Sequence, residues 1–297
     1  MGVDVSFIVI HFGDAEPTRL AVTSLFAAHG HGCAYTTEVL VVDNASHTPF
    51  TMDERIASPR VLLLESNCGY GAACNAGARE ARGRFLFILN NDIEARGDIV
   101  APLLSRLEAD ERIGAIGPRL EFPDGRFQLS WGDAPSLWSE FRERGRQRRS
   151  RRGEAVRDRE RATAQPVDWI TGAAMLLPRG AWEAIEGFDE RYFFYFEDVD
   201  LCTRLWHAGY TVLYEPAACL THVGGGSAPG SNPRIVRGYR IEQLRYYARW
   251  RSMPQFLLLK LYLFAKFAGT ALRGGDSSRA LLGDIFRATR RDLLHRS

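Results

Sequence analysis

Short β-branched runs that stop on acidic or amide side chains, separated by helical stretches, constrain this chain more than any other feature. Val5 to Phe12 is an apolar run, Glu38 to Val42 leads into Asp43, and Arg84 to Leu89 leads into Asn90-Asn91-Asp92. Helical patterns lie between and after them at Pro17 to His29, the Ala-rich Gly71 to Arg82 and Ile99 to Ala109, with a further strand at Arg60 to Leu64. Apolar strands alternating with helices predict an α/β fold, its parallel sheet covered by helices on both faces. Ligands bind beyond the carboxyl ends of such strands, which is where Asp43 and the Asn90 to Asp92 triplet fall.

At 297 residues the chain is long enough for one large α/β unit, read as 1–234, and a helical extension, 235–297. Past Ile113 the pattern changes. Pro123-Asp124-Gly125 is hairpin chemistry between Leu120-Glu121-Phe122 and Arg126 to Leu129. Arg142 to Arg161 is dense in arginine and poor in apolar residues, which gives an insertion of about 140–165: a solvated loop or charged helix, or a patch for phosphate or lipid headgroups. Trp169 to Leu177 reads as one strand, Ala181 to Glu186 as a helix stopped by Gly187, and Tyr210 to Leu213 as a strand, with His222 a loop residue before Gly224-Gly225-Gly226. In the tail, Phe256 to Leu272 is strongly apolar but interrupted by Lys260 and Lys266, and falls short of the ~20 residues that span a bilayer. It either lies in a membrane interface or covers an apolar face of the larger unit.

A second acidic cluster follows an aromatic run. Phe193-Phe194-Tyr195-Phe196 precedes Glu197-Asp198-Val199-Asp200, with Asp189 just upstream and a helix-like stretch from Leu201 to Ala208. Acids in a first helical turn favour the dipole, but carboxylates among rings also need a cation, a metal or a catalytic role. Asp92 suits a hard cation that also holds phosphate oxygens, and His222 is a further ligand of that kind or a plain loop residue. Asn67-Cys68-Gly69-Tyr70-Gly71 opens the Ala-rich helix with glycines that let backbone N–H groups approach a ligand. The chain has no G-x-G-x-x-G, no P-loop and no G-x-S-x-G, so it does not read as a nicotinamide dehydrogenase, a P-loop enzyme or a nucleophile-elbow hydrolase.

A formal net charge of +2 gives no reason to expect nucleic acid as a partner. Five cysteines, Cys33, Cys68, Cys74, Cys202 and Cys219, with no C-x-x-C spacing, predict reduced thiols. Met1-Gly2-Val3-Asp4 leads into a strand without a basic leader and apolar stretch. The expectation is a cytoplasmic protein without a signal peptide, its tail either docked on the inner face of the cell membrane or packed on the protein.

In their order, Val41 to Asn44, Asn67 to Gly71 with Asn75 and Gly77, Leu89 to Asp92, Thr171-Gly172-Ala173, Gly187 to Glu190, Phe196 to Leu201 and His222 resemble glycosyltransferase family 2, nearest its bacterial rhamnosyltransferase-like branch, over roughly residues 3–250. The resemblance implies a GT-A fold, a nucleotide-sugar donor (dTDP- or UDP-linked), Mg²⁺ or Mn²⁺, and inversion at the anomeric carbon. It implies donor contacts from Ile10, Asp43, Asn67, Gly69, Tyr70, Asn75, Asn90 and Asn91, and a metal held by Asp92 and His222. Asp198 would be the general base with Glu197 beside it, and Trp169, Thr171, Gly172 and Glu197 would meet the acceptor. Asn90 stands where the family's Asp-X-Asp triplet has its first acid, which leaves fewer charges for the cation. The implied reaction is transfer, with L-rhamnose from dTDP-rhamnose foremost, to a saccharide or lipid-linked saccharide in cell-surface polysaccharide synthesis. Galactofuranose, hexose and N-acetylhexosamine transfer stand behind it, as does a saccharide-binding protein without activity on the same scaffold.

Overall fold

In the computed structural model the described residues are 2–29, 33–136, 138–139, 162–224, 232–272 and 276–295. The Arg-rich stretch 142–161 lies outside them.

The first strands are β1 (Val5–His11), β2 (Thr37–Asp43), β3 (Arg60–Leu63) and β4 (Phe85–Asn90), which run parallel in the order β3-β2-β1-β4. Alternate residues of each strand face opposite layers. Phe7, Val9, Val41, Phe87 and Leu89 pack against α1 (Ala15–His29) and α3 (Val100–Ala109), and Ile8, Ile10, Leu40, Val42 and Ile88 pack against the other layer. That second layer is built from α2 (Tyr70–Glu80), α4 (Arg179–Ala184) and α5 (Glu197–His207). Both faces of the sheet are therefore apolar, and the strands read as mostly hydrophobic runs, with Ser6 the polar residue inside β1.

Beyond β4 the sheet continues as β11-β6-β12-β5, where β5 is Ile93–Ala95, β6 is Ile113–Glu121, β11 is Ala174–Pro178 and β12 is Thr211–His222. β11 is antiparallel to both neighbours, and β12 is parallel to β6 and antiparallel to β5. The expected hairpin forms: β7 (Phe127–Gln128) folds back on β6 around Gly125. Short β8 (Trp131–Gly132) pairs with β10 (Trp169–Ile170), and β9 (Gln165–Pro166) pairs with β12.

Two expectations need correction. Trp169 to Leu177 is not one strand, because Thr171-Gly172-Ala173 turns between β10 and β11 and carries the chain from a side sheet into the main one. The strand expected at Tyr210 to Leu213 is longer, and His222 closes it in register with Ile93 rather than standing in a loop. A glycine run after His222 hides that strand from a reading of local sequence.

The extension is helical: α6 (Pro233–Trp250), α7 (Met253–Leu272), α8 (Asp276–Arg287) and α9 (Arg290–His295). Asn232 caps α6 by accepting the Arg234 N–H at 3.0 Å, with proline at the first helical position. Its core, with Leu244, Tyr246, Tyr247, Leu259 and Leu263, takes in Tyr192, Phe196 and Val199 from the start of α5. All five cysteines are free thiols.

Candidate functional site

Of the clustered carboxylates, Asp189, Glu197, Asp198 and Asp200 form two pairs with opposite surroundings. Asp189 and Asp200 are matched to cations. Asp200, fully buried, accepts from Arg204 Nε at 2.8 Å, Trp250 Nε1 at 2.7 Å and Arg249 Nη1 at 3.3 Å. Arg249 also reaches Asp189, which Arg191 grips through Nε at 2.8 Å. Burial opposes ionisation of Asp189, but Arg191 and Arg249 together hold its pKa below the ordinary value. This pair fixes α5 to α6.

Among the described residues neither Glu197 nor Asp198 is paired with a cation. Glu197 is only 5% exposed, and its Oε2 has no hydrogen-bond partner. Burial, then the neighbouring Asp198 and more distantly Glu242, push its pKa well up. Burial also raises the pKa of Asp198, against the Gly172 and Val199 amides. Those amides donate to Asp198 Oδ2 at 3.0 Å and Oδ1 at 2.8 Å. The rings of 193–196 do not form the enclosure by themselves. Phe193 and Phe194 are exposed, and Phe196 turns away to Tyr239 and Tyr246. α2 supplies much of the burial, through Gly71 beside the Glu197 Cβ and through Tyr70 and Cys74, whose pKa values Glu197 raises after their own burial does.

The turn 171–173 joins this pair to the polar strand end. The Gly172 N–H donates to Asp198, the Tyr70 hydroxyl donates to the Gly172 carbonyl at 2.7 Å, and the Ala173 carbonyl accepts from the Asn90 N–H at 3.0 Å. Trp169, just before the turn, donates through Nε1 to the Asp133 carbonyl at 3.0 Å. Thr171 donates its N–H to the Ser130 carbonyl at 2.8 Å.

At the strand end, Asn90 Nδ2 lies 3.4 Å from His222 Nε2, and Asp92 Oδ1 lies 3.0 Å from the same nitrogen. On the far side of the ring, His222 Nδ1 donates to Gln128 Oε1 at 3.1 Å. With Nδ1 the donor, Nε2 turns a lone pair toward Asn90 and Asp92. Asp92 Oδ1 is buried, so with a neutral ring two acceptors face each other across 3.0 Å, whereas a proton on Nε2 makes the contact an ion pair. A hard cation resolves such a pair, and imidazole and carboxylate are fitting donors. Gly224 closes over the same carboxylate, since a Cβ there would sit 1.9 Å from Asp92 Oδ2. Among the described residues no group of three or more His, Cys, Asp or Glu is gathered where it could hold a metal ion. Gln128 could not be foreseen from the sequence, because its contact with His222 spans 94 residues.

The other positions serve mainly to shape loops. Asp43 accepts from the Ser46 and Phe50 N–H groups, both at 2.8 Å; burial opposes these bonds, yet its pKa is lowered. Asn67 Oδ1 accepts from Asn44 Nδ2 and the Gly69 N–H, both at 3.1 Å. Gly69 has φ +89°, and a Cβ there would meet the Phe193 carbonyl at 2.5 Å. That carbonyl accepts the Tyr70 N–H at 2.9 Å, so the start of α2 is stitched to the aromatic run rather than open as a phosphate cradle. Asn75 is buried and grips 187–190, donating to the Phe188 carbonyl and Glu190 Oε1 and accepting the Phe188 N–H, each at 2.9 Å. Ile10 is buried beside Asn90, and Asn91 donates to Thr18 Oγ1 at 3.1 Å. Next to them the sequence reading missed His11, buried at the end of β1, with Nδ1 2.7 Å from Thr18 Oγ1 and Nε2 without a partner.

Known proteins resemble this chain in sequence and in fold. Residues 6–175 match the profile described as Glycosyl transferase family 2. An N-acetylglucosaminyl-diphospho-decaprenol L-rhamnosyltransferase of Mycobacterium tuberculosis is 34% identical over 205 residues, which cover 62% of this chain and 66% of that protein, just under two thirds of its length. Rhamnosyltransferase WbbL of Escherichia coli is 36% identical over 87 residues, 29% of this chain and 33% of that one. Among solved structures, a mannosyltransferase of Pyrobaculum calidifontis in complex with GDP-Man and Mn²⁺ superposes with a TM-score of 0.52 at 17% identity, covering 99% of this chain and 79% of that one. GalNAc-T7 with UDP, GalNAc and Mn²⁺ gives 0.54 at 15% identity over 83% and 50% of the two chains. These neighbours share the GT-A type of α/β fold.

Proposed function

Because this chain belongs to glycosyltransferase family 2, in its rhamnosyltransferase-like part, we propose that it transfers a sugar from a nucleoside diphosphate to a hydroxyl with inversion. The observation that carries the reading is the turn 171–173. One of its amides holds Asp198 and one of its carbonyls holds the Asn90 end of β4, which brings a carboxylate of raised pKa and an Asp–His pair to one end of the sheet.

In the reaction the acceptor oxygen forms a bond to the anomeric carbon as the bond from that carbon to the diphosphate oxygen breaks. Asp198 takes the acceptor proton. Its raised pKa makes it a better base than an ordinary carboxylate, and the Gly172 and Val199 amides aim its oxygens. Glu197, also above its ordinary pKa, sits beside Asp198 and raises its own claim to a proton. Trp169, Thr171, Gly172 and Glu197 line the acceptor side. Ile10, Asp43, Asn67, Gly69, Tyr70, Asn75, Asn90 and Asn91 shape the donor side, several of them by holding the loops that border it. Asp92 and His222 would hold Mg²⁺ or Mn²⁺, which would supply the positive charge that offsets the departing diphosphate.

The donor sugar we propose is L-rhamnose carried on dTDP, and the acceptor a saccharide on a lipid carrier. The support is the 34% identity to a relative named for L-rhamnosyl transfer to N-acetylglucosaminyl-diphospho-decaprenol. The test is release of nucleoside diphosphate from a panel of sugar nucleotides, with and without lipid-linked N-acetylglucosamine. Acceptor-dependent release from dTDP-rhamnose supports the reading. Release from another donor alone reassigns the sugar, and no release from any donor sinks the enzymatic reading.

A further inference from the structure

The extension has an inner and an outer apolar face. Phe256, Leu259 and Leu263 of α7 turn inward and pack with α6 and the start of α5. Leu257, Leu258 and Leu261 are 54%, 51% and 66% exposed, and Phe264 continues the same stripe, with Phe286 of α8 also exposed. Large side chains on one exposed helix face lose hydration free energy unless something covers them. The charge around them is lopsided. Residues 235–297 carry thirteen Lys and Arg against four acids, whereas 1–234 carry 25 against 32. Lys266, Arg287 and Arg291 of this extension are exposed, and Lys266 lies 5.3 Å from the Phe267 ring centroid. No helix among the described residues is long and apolar enough to cross a membrane.

We propose that the outer face of α7, with Phe286, docks on an anionic lipid bilayer, its apolar side chains at the acyl boundary and the cations at the headgroups. An exposed apolar helix face with Lys and Arg near it binds in this interfacial way, and each cation near an anionic surface strengthens the attraction. A second copy of the chain fits less well, because pairing two extensions brings like charges together. The inference stands apart from the sugar-transfer reading. Where both hold, docking brings the layer that clamps α5 to the surface where a lipid-linked acceptor resides.

The experiment is co-sedimentation of the full chain with phosphatidylcholine vesicles and with phosphatidylcholine–phosphatidylglycerol vesicles, over a salt series. Binding to the anionic vesicles that weakens with salt is expected. The exposed-face variant Leu261→Glu/Phe264→Glu should bind at least about tenfold more weakly while keeping its circular dichroism and melting temperature. The proposal is overturned if the intact protein stays in the supernatant with anionic vesicles at low salt, or if it binds and the variant binds equally well. It is overturned too if the chain is a dimer in solution that the variant dissociates, which assigns the face to a second copy.

Discussion

Asp198→Asn tests the proposed base most directly. Asparagine is isosteric but removes the charge and the proton-accepting oxygen. It also leaves one of the two backbone donors, Gly172 N–H at 3.0 Å or Val199 N–H at 2.8 Å, facing an amide NH₂. A buried donor without an acceptor costs about 1–3 kcal/mol. Relief from holding a carboxylate in a site that raises its pKa works in the opposite direction, so the variant should melt within a few degrees of the parent. General-base catalysis contributes about 10²–10⁴ in rate, or about 3–5 kcal/mol in the barrier. The expected result is a fall in kcat of that size with unchanged donor affinity. The assay pairs acceptor-dependent nucleoside diphosphate release with calorimetric titration of the donor. In the parent, kcat/KM should fall as pH drops through a pKa above the ordinary carboxylate range, and this limb should vanish from the variant's residual rate. Turnover near the parent's, in a protein that still binds donor, would refute a role for Asp198 in proton transfer.

Glu197→Gln should raise stability at pH 8 and do little at pH 4. The folded pKa of Glu197 is raised, so its stabilising protonated form is complete below the unfolded value and is lost as pH rises through the folded one. Melting curves at the two pH values check this, with equal shifts counting against it. Asp92→Ala, or excess chelator on the intact protein, should abolish acceptor-dependent release, and full activity in chelator with metal content measured as nil would exclude the cation. Arg249→Met removes the bridge between Asp189 and Asp200; since Arg204 and Trp250 still hold Asp200, the loss should be about 2–3 kcal/mol, read by denaturant unfolding.

Local sequence displayed the part of the fold that local physics decides. β1, β2 and β4 were legible because both sheet faces are apolar, and Asp43 and Asn90 were legible because strand ends carry the polar residues. The Thr171 to Ala173 break was hidden, since Thr171 and Gly172 interrupt the apolar run of Trp169 to Leu177 only briefly and it is pairing with β8 and then β4 that splits it. Nor could Asp189, Glu197, Asp198 and Asp200 be divided by spacing into a pair matched to cations and a pair that is not. The division is made by Arg249, 49 residues beyond Asp200 in the chain. His222 drew notice as a lone imidazole, but its orienting partner Gln128 has no signature, because a hydrogen bond across two strands leaves no trace in either segment.

Tyr195 and Phe196, which lead into α5, both have left-handed backbone, with φ of 76° and 65°. For residues with a Cβ this conformation costs roughly 1–2 kcal/mol each. It holds because the Tyr195 and Phe196 rings pack on Tyr239, and Phe196 also on Tyr246, both from α6. The acids that follow are thus presented by a spring that the extension keeps wound. Segments of this kind open first, so amide hydrogen exchange at 195–198 should run ahead of global unfolding. Substitutions in α6, far along the chain, would then tune how long Glu197 and Asp198 stay aligned without altering either residue.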